Sequence, residues 1–152
     1  MITLDAIDRR ILAALQRDAT LSIADLAERV GLSQTPCWKR IKRLEADGVI
    51  TGRVALLDRA LLGQGTTVFV SVRTSQHDED WLVQFAEAIR AIPEVTEFYR
   101  MSGDVDYLLK IVCRDIADYD RIYKAMIRAA KLSDVSSSFA MEQIKYTTEV
   151  PL

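Results

Sequence analysis

The chain has 152 residues, a formal net charge of −2, and 49% hydrophobic against 28% charged residues, a balance that excludes a disordered chain and fits one globular domain or two small ones. No run of about 18 apolar residues occurs, and MITL leads directly into an acidic amphipathic pattern, so the expectation is a cytoplasmic protein with neither membrane span nor signal peptide. The charge is uneven: residues 1–60 carry ten Lys and Arg against eight Asp and Glu, and residues 61–152 carry ten against fourteen, which points to a nucleic-acid partner for the first part only.

In chain order, Leu4, Ile7, Ile11, Leu12 and Leu15 recur at helical spacing behind the cap Asp5, predicting a helix over about Asp5–Arg17. Ser22, with Asp25 at the third helical position, opens a second helix over about Ile23–Val30 that Gly31 closes. Gly31-Leu32-Ser33 is then the short glycine-containing connection of a helix-turn-helix. The third helix lies within Ser33–Gly48, SQTPCWKRIKRLEADG. Ser33 or Thr35 is its expected cap, Pro36 falls in its first turn, and Gly48 is its left-handed stop. Cys37, Ile41 and Leu44 form its apolar seam, while Thr35, Trp38, Lys39, Lys42 and Arg43 face the other way.

A KRIKR run alone is no more than a solvated basic face. Placed directly after that turn, it predicts a recognition helix in the major groove of double-stranded DNA. Lys39, Arg40, Lys42 and Arg43 are candidates for phosphates or guanine edges, and Ser33, Gln34, Thr35 and Trp38 for bases or sugars. Trp38 has a second reading, packed beneath a wing. That wing is expected as a short hairpin over Val49–Asp58 around Thr51-Gly52, with Arg53 available to a phosphate or the minor groove. The DNA-binding domain is thus read as 1–60 and the glycine-bounded connector as 61–65.

Residues 66–152 read β-α-β-β-α-β. Thr66–Arg73 alternates as a strand with Val68, Val70 and Val72 on one side. A helix from Asp78 to Ile92 buries Trp81 or Leu82, Phe85, Ala86 and Ile89, and strands at Val95–Met101 and Val105–Cys113 flank the turn Ser102-Gly103-Asp104. A helix over about Ile116–Ala130, capped by Asp115, turns Tyr119, Ile122, Tyr123, Met126 and Ile127 inward. A last strand runs from about Val135 through Tyr146 and Thr147. The fold class is therefore α+β, a winged helix-turn-helix followed by a ferredoxin-like sheet with both helices on one face. The uncovered face, with Phe69, Phe98, Tyr107 and Ile111 placed on it, predicts a homodimer.

Cys37 and Cys113 sit in apolar patterns without a C-x-x-C or His/Cys companion, so buried thiols are expected. His77, the only histidine, is expected on the surface, and neither a metal site nor a cofactor is predicted. Around the turn at residues 101–107, Asp104 or Asp106 with backbone N–H groups and Ser136–Ser138 could match the ammonium and carboxylate of a small amino acid. An ordinary hairpin turn with solvated acids is the alternative. No nucleophile–base pair or Gly-rich phosphate loop accompanies these acids, so a small metabolic enzyme is the weaker reading. An architectural DNA-binding protein of little sequence preference is the other rival.

LDAIDRRILAALQRDA at 4–19, LSQTPCWKRIKRLEADGVI at 32–50, SGDVDYLLKI at 102–111 and SSFAMEQIKYTTEVPL at 137–152 resemble, in order, the patterns of the Lrp/AsnC family of transcriptional regulators. The resemblance implies a homodimer that assembles further into an octamer and responds to a small amino acid. It implies an effector site around Gly103, Asp104, Asp106, Tyr107 and Leu108, completed across a dimer–dimer interface near Ser136 and Ser138. TPCWKR, VALLD and SSFAMEQIKYTT resemble a cysteine-responsive subgroup, which implies a sulfur-containing or similar amino acid as effector. Arg53 departs from the family pattern, which places an aromatic after the wing glycine.

Overall fold

The computed structural model describes residues 2–74, 79–129, 132 and 134–152; His77 and the expected helix start at Asp78 lie outside them. The chain divides into two compact units, Met1–Leu56 with Lys145–Leu152, and Leu57–Ile144.

The first unit holds α1 (Ala6–Arg17), α2 (Ile23–Val30) and α3 (Gln34–Ala46). At the start of α1 the Asp5 carboxylate accepts the N–H groups of Ile7 and Asp8 at 2.9 and 2.8 Å, and the Asp8 carboxylate accepts that of Asp5 at 3.2 Å. This reciprocal box satisfies N–H groups that a helix start leaves without intrahelical partners. Ser22 caps α2 through the Asp25 N–H at 3.1 Å. The expected side-chain cap on α3 is not made: Ser33 holds the cap position without a side-chain bond, and Thr35 lies inside the helix. Both α2 and α3 end on a glycine at φ 73°, Gly31 and Gly48. There the N–H groups of Leu32 and Val49 reach back to the carbonyls of Ala27 and Leu44, each at 2.9 Å. Such a reversal needs a left-handed residue, which glycine adopts without steric cost.

Ile11 and Leu12 of α1, Leu26, Ala27 and Val30 of α2, and Cys37, Ile41 and Leu44 of α3 form one buried core. The expected wing hairpin is not formed. Residues 51–58 contain no strand, and Val54, Leu56 and Leu57 are exposed. A lone hairpin of that length is marginal without a surface to cover.

The second unit contains β1 (Thr66–Arg73), α4 (Glu79–Arg90), β2 (Val95–Arg100), β3 (Tyr107–Cys113), α5 (Ile116–Ala129) and β4 (Asp134–Phe139). The strands form an antiparallel sheet in the order β2-β3-β1-β4. Phe85 and Ile89 of α4 and Tyr119, Ile122 and Met126 of α5 share one core with Val68, Val70, Val72, Leu109 and Ile111, so both helices lie on one sheet face. Ile127, expected inward, is exposed.

Register corrects the residues assigned to the uncovered face. Val68 stands opposite Ile111, Val70 opposite Leu109 and Val72 opposite Tyr107, and directly paired residues share a face. Tyr107 and Ile111 are therefore in the core, Phe98 packs against it, and of the four only Phe69 remains on the open side. With it stand Ser71, Glu97, Tyr99, Leu108, Lys110, Ser136 and Ser138.

The last strand is also shorter than expected. The final ladder bond near its end runs from the Ala140 N–H to the Thr67 carbonyl at 2.9 Å, and β1 begins only one residue earlier. A strand beyond residue 140 has no neighbour left to pair with. The tail instead belongs to the first unit, where Gln16 of α1 exchanges two hydrogen bonds with the Val150 backbone at 3.1 and 2.5 Å and Arg17 pairs with Glu149 at 3.3 Å.

Candidate functional site

The apolar seam of α3 fixes which way its remaining side chains point. With Cys37, Ile41 and Leu44 buried, Ser33, Gln34, Thr35, Trp38, Lys39, Lys42 and Arg43 are exposed, as is Arg53 beyond the helix. Trp38 is 48% exposed, and with no wing above it the packed alternative falls away.

The cations are not equivalent. Arg40 donates through Nη1 to Asp5 at 2.6 Å and to Asp8 at 2.8 Å, and Arg43 donates through Nη2 to Asp8 at 2.5 Å. Arg40 is only partly exposed and serves mainly as a strut between α3 and α1. Glu45 holds Lys42 at 2.7 Å and Arg53 at 3.0 Å. Among the described residues, Lys39 is the one of these five cations with no ion pair. The sequence reading missed Asp8 and Glu45 as organisers of this face. Asp8 looked like an ordinary first-turn acid of α1, and nothing local signals a partner in α3.

The second constellation surrounds the β2–β3 loop. Gly103 has φ 119°, a conformation other residues rarely adopt. Asp106 is locked into the end of the sheet: its N–H donates to the Val72 carbonyl at 3.1 Å, its carbonyl accepts the Met101 N–H at 2.8 Å, and its carboxylate accepts the Thr74 N–H at 2.8 Å. Arg73 donates through Nε to the Asp104 carbonyl at 2.7 Å and lies 3.7 Å from Asp134. The sequence reading placed it only as the end of a strand and not among the site residues, and it adds a cation where a carboxylate ligand would need one. The Asp104 side chain is exposed.

The Tyr107 side chain does not join this group. It is buried, with its ring 5.4 Å from Phe85, 5.7 Å from Phe98 and 6.0 Å from Trp81, so its aromatic contribution goes to the core. Leu108, the next residue, points to the opposite face, where it stands beside Ser71, and Ser71 stands beside Ser136. Ser138 lies further along the same face, beside Phe69. Between the two serines, Ser137 turns inward to hydrogen-bond the Tyr119 hydroxyl. The register thus brings Leu108, Ser71 and Ser136 side by side at one end of the open face, with Leu108 two residues along the chain from Asp106.

Both thiols, Cys37 and Cys113, are fully buried and unpaired. Burial pushes them up from their ordinary value, so they stay protonated and act as small apolar side chains.

Carboxylates anchor each unit. The Asp8 N–H, and next the Arg40 guanidinium, hold Asp5 down from 3.8 to about 2. Arg114, through its side chain and N–H, and Arg121 hold Asp118 well below the usual carboxylate range. Both groups titrate lower in the folded state than in the unfolded one, so their stabilisation is complete above the ordinary value and is lost as pH falls through the folded one. Acid unfolding followed by circular dichroism is therefore expected to hold a plateau down to about pH 4 and to decline only below it. Loss of structure completed above that pH would contradict these pairings.

Residues 4–51 match the family described as winged helix-turn-helix DNA-binding, and residues 67–150 match the Lrp/AsnC ligand binding domain. The chain is 51% identical to the DNA-binding transcriptional activator DecR of Escherichia coli strain K12, over 98% of this chain and 99% of that one. It is equally 51% identical to the glutamate uptake regulatory protein of Zymomonas mobilis, over 98% and 91%. Its fold is similar to the crystal structure of an AsnC family transcriptional regulator from Agrobacterium tumefaciens, with TM-score 0.95, 60% identity and 97% of each chain covered. It is also similar to a Neisseria meningitidis transcriptional regulator in complex with L-Met, with TM-score 0.92, 33% identity and 98% and 97% covered. Two family matches that follow one another along the chain, with relatives aligned over nearly their whole length, lead to one conclusion: the chain belongs to the Lrp/AsnC family of DNA-binding transcriptional regulators.

Proposed function

We propose that this chain is a sequence-specific transcriptional regulator that lays α3 in the major groove of double-stranded DNA and adjusts its DNA binding or assembly to a small amino acid. The observation that carries the reading is the outward cationic face of α3, following directly on the left-handed turn at Gly31. Lys39, Lys42 and Arg43 supply charge to phosphates or guanine edges, Gln34, Thr35 and Trp38 supply contacts at the helix N-terminal end, and Arg53 reaches a phosphate beside them. The protein acts in the cytoplasm and is not an enzyme.

The effector is received at the end of the open sheet face, by Gly103, Asp104, Asp106, Leu108, Ser136 and Ser138, with Tyr107 contributing its backbone. The open faces of two copies pair into a dimer, and dimers assemble into an octamer that brings Ser136 and Ser138 of one dimer to the loop of another. A sulfur-containing amino acid is the favoured effector, supported by the L-Met complex of the Neisseria regulator. Coupling requires the effector to bind one assembly better than another, since equal affinity for both would shift nothing.

A thermal-shift screen of the twenty amino acids, run on the full chain and on Asp106→Ala, tests the sensor half. A saturating effector at about a hundredfold excess over Kd adds about 2.7 kcal/mol to folding stability, which Asp106→Ala is expected to abolish. An undiminished response in that variant removes the site. On the DNA side, Lys39→Ala combined with Arg43→Ala is expected to weaken binding in a gel-shift titration while leaving the oligomer intact. Unchanged binding would mean that α3 does not face the duplex.

A further inference from the structure

We propose that Asp8 of α1 is a positioning residue for DNA recognition, holding the Arg43 guanidinium at the angle it presents to the duplex. The inference rests on the reading of α3 as the DNA-facing helix and goes beyond it to the group that aims that helix.

The Asp8 side chain is 1% exposed, and its carboxylate has three donors: Arg40 Nη1 at 2.8 Å on one oxygen, and Arg43 Nη2 at 2.5 Å and the Asp5 N–H at 3.2 Å on the other. Closing the start of α1 requires only the last of these. The other two cross 32 and 35 residues of sequence to reach α3. A carboxylate out of water must be matched by charge, so Asp8 fixes both arginines as firmly as they fix it.

Arg43 nevertheless keeps a side chain that is 49% exposed. One nitrogen is committed to Asp8, and Nε and Nη1 make no hydrogen bond among the described residues. Because the guanidinium is planar and rigid, anchoring one nitrogen sets the plane of the other two. Rotamer freedom that an unanchored arginine would lose on meeting DNA has already been lost in the free protein. Arg40, 26% exposed and bridging Asp5 and Asp8, completes the mount by fixing Asp8 from its far side.

Lys39 and Lys42 are arranged differently. Lys39 has no anchor among the described residues, and Lys42 pairs with Glu45, whose side chain is 25% exposed. The flexible cations are left to find phosphates, and the forked one is mounted on a buried acid. Such a division suits positional readout by Arg43 and non-specific attraction by the lysines.

The test is a double-mutant cycle on the full chain with Asp8→Asn, Arg43→Ala and the pair. Affinity is measured for a duplex selected from a random pool and for its scrambled counterpart, with thermal unfolding recorded alongside. Asparagine keeps the shape and an acceptor for the Asp5 N–H while removing the charge. Asp8→Asn is expected to lower affinity for the selected duplex by about tenfold and for the scrambled one by much less. In the Arg43→Ala background it is expected to cause no further loss.

An equal loss with and without Arg43 would assign Asp8 a general structural role and overturn the proposal, as would wild-type affinity in Asp8→Asn. A silent Arg43→Ala would overturn the DNA-facing reading of Arg43 and this inference with it. Should Asp8→Asn fail to fold, Arg43→Lys decides, because it keeps the charge and loses the fork. Discrimination between the two duplexes is then expected to fall while scrambled binding holds, and unchanged discrimination would overturn the proposal.

Discussion

Phe85→Ala is expected to destabilise the sheet-bearing unit by about 3–5 kcal/mol in urea unfolding. Phe85 is 1% exposed, stacks on Trp81 at 5.0 Å, and meets Phe98 and Tyr107 edge-on at 5.5 and 5.4 Å. Truncation removes the central ring of a four-ring cluster, and the rigid sheet beneath cannot close the void. The loss takes a large part of the roughly 5–15 kcal/mol that a domain has in total. Because Tyr107 directly follows Asp106, the β2–β3 loop would lose its footing along with the core.

Phe69→Ala removes the same ring from the other side of the sheet and should behave differently. Phe69 is 40% exposed, so its truncation is expected to cost the isolated subunit little. If open faces pair as proposed, it weakens the dimer instead, and sedimentation at falling protein concentration would show earlier dissociation. A monomer stability loss equal to that of Phe85→Ala would contradict the register described above.

The second large effect concerns salt. If a dimer neutralises roughly six to ten phosphates, its DNA affinity is expected to fall by about 10³–10⁵ between 50 and 200 mM salt. Lys39→Ala is expected to reduce the slope of log affinity against log salt by about one if Lys39, which has no ion pair among the described residues, meets a phosphate. Lys42 and Arg53 must first exchange Glu45 for the duplex, so the slope reports net charge released rather than cations counted. A titration nearly flat in salt would remove the cationic face of α3 from the interface.

Much of this architecture is written locally in the chain. Asp5, Ser22 and the two left-handed glycines mark helix ends because capping involves residues within one turn. The apolar periods of α1, α2 and α3, and the alternation of β1, identify elements and buried seams for the same reason. The strand and helix order of the second unit could be read off residue by residue. So could the exposed cationic face of α3, since the seam at Cys37, Ile41 and Leu44 fixes the opposite side.

Tertiary structure decided what depends on distant partners. Register of β3 against β1 moved Tyr107 and Ile111, and that of β2 against β3 moved Phe98, from the open face to the core, because a strand's alternation defines two sides without saying which one the helices cover. The end of β1 stopped β4 near residue 140, whatever the β-propensity of the residues beyond. The pairing of Arg40 and Arg43 with Asp8 joins side chains more than thirty residues apart, and no spacing rule within either helix contains it. Local chemistry therefore specified the elements and the charge they carry, while packing specified which charges are paired, which rings are buried and where the tail returns, because each of those outcomes requires two separated segments to meet.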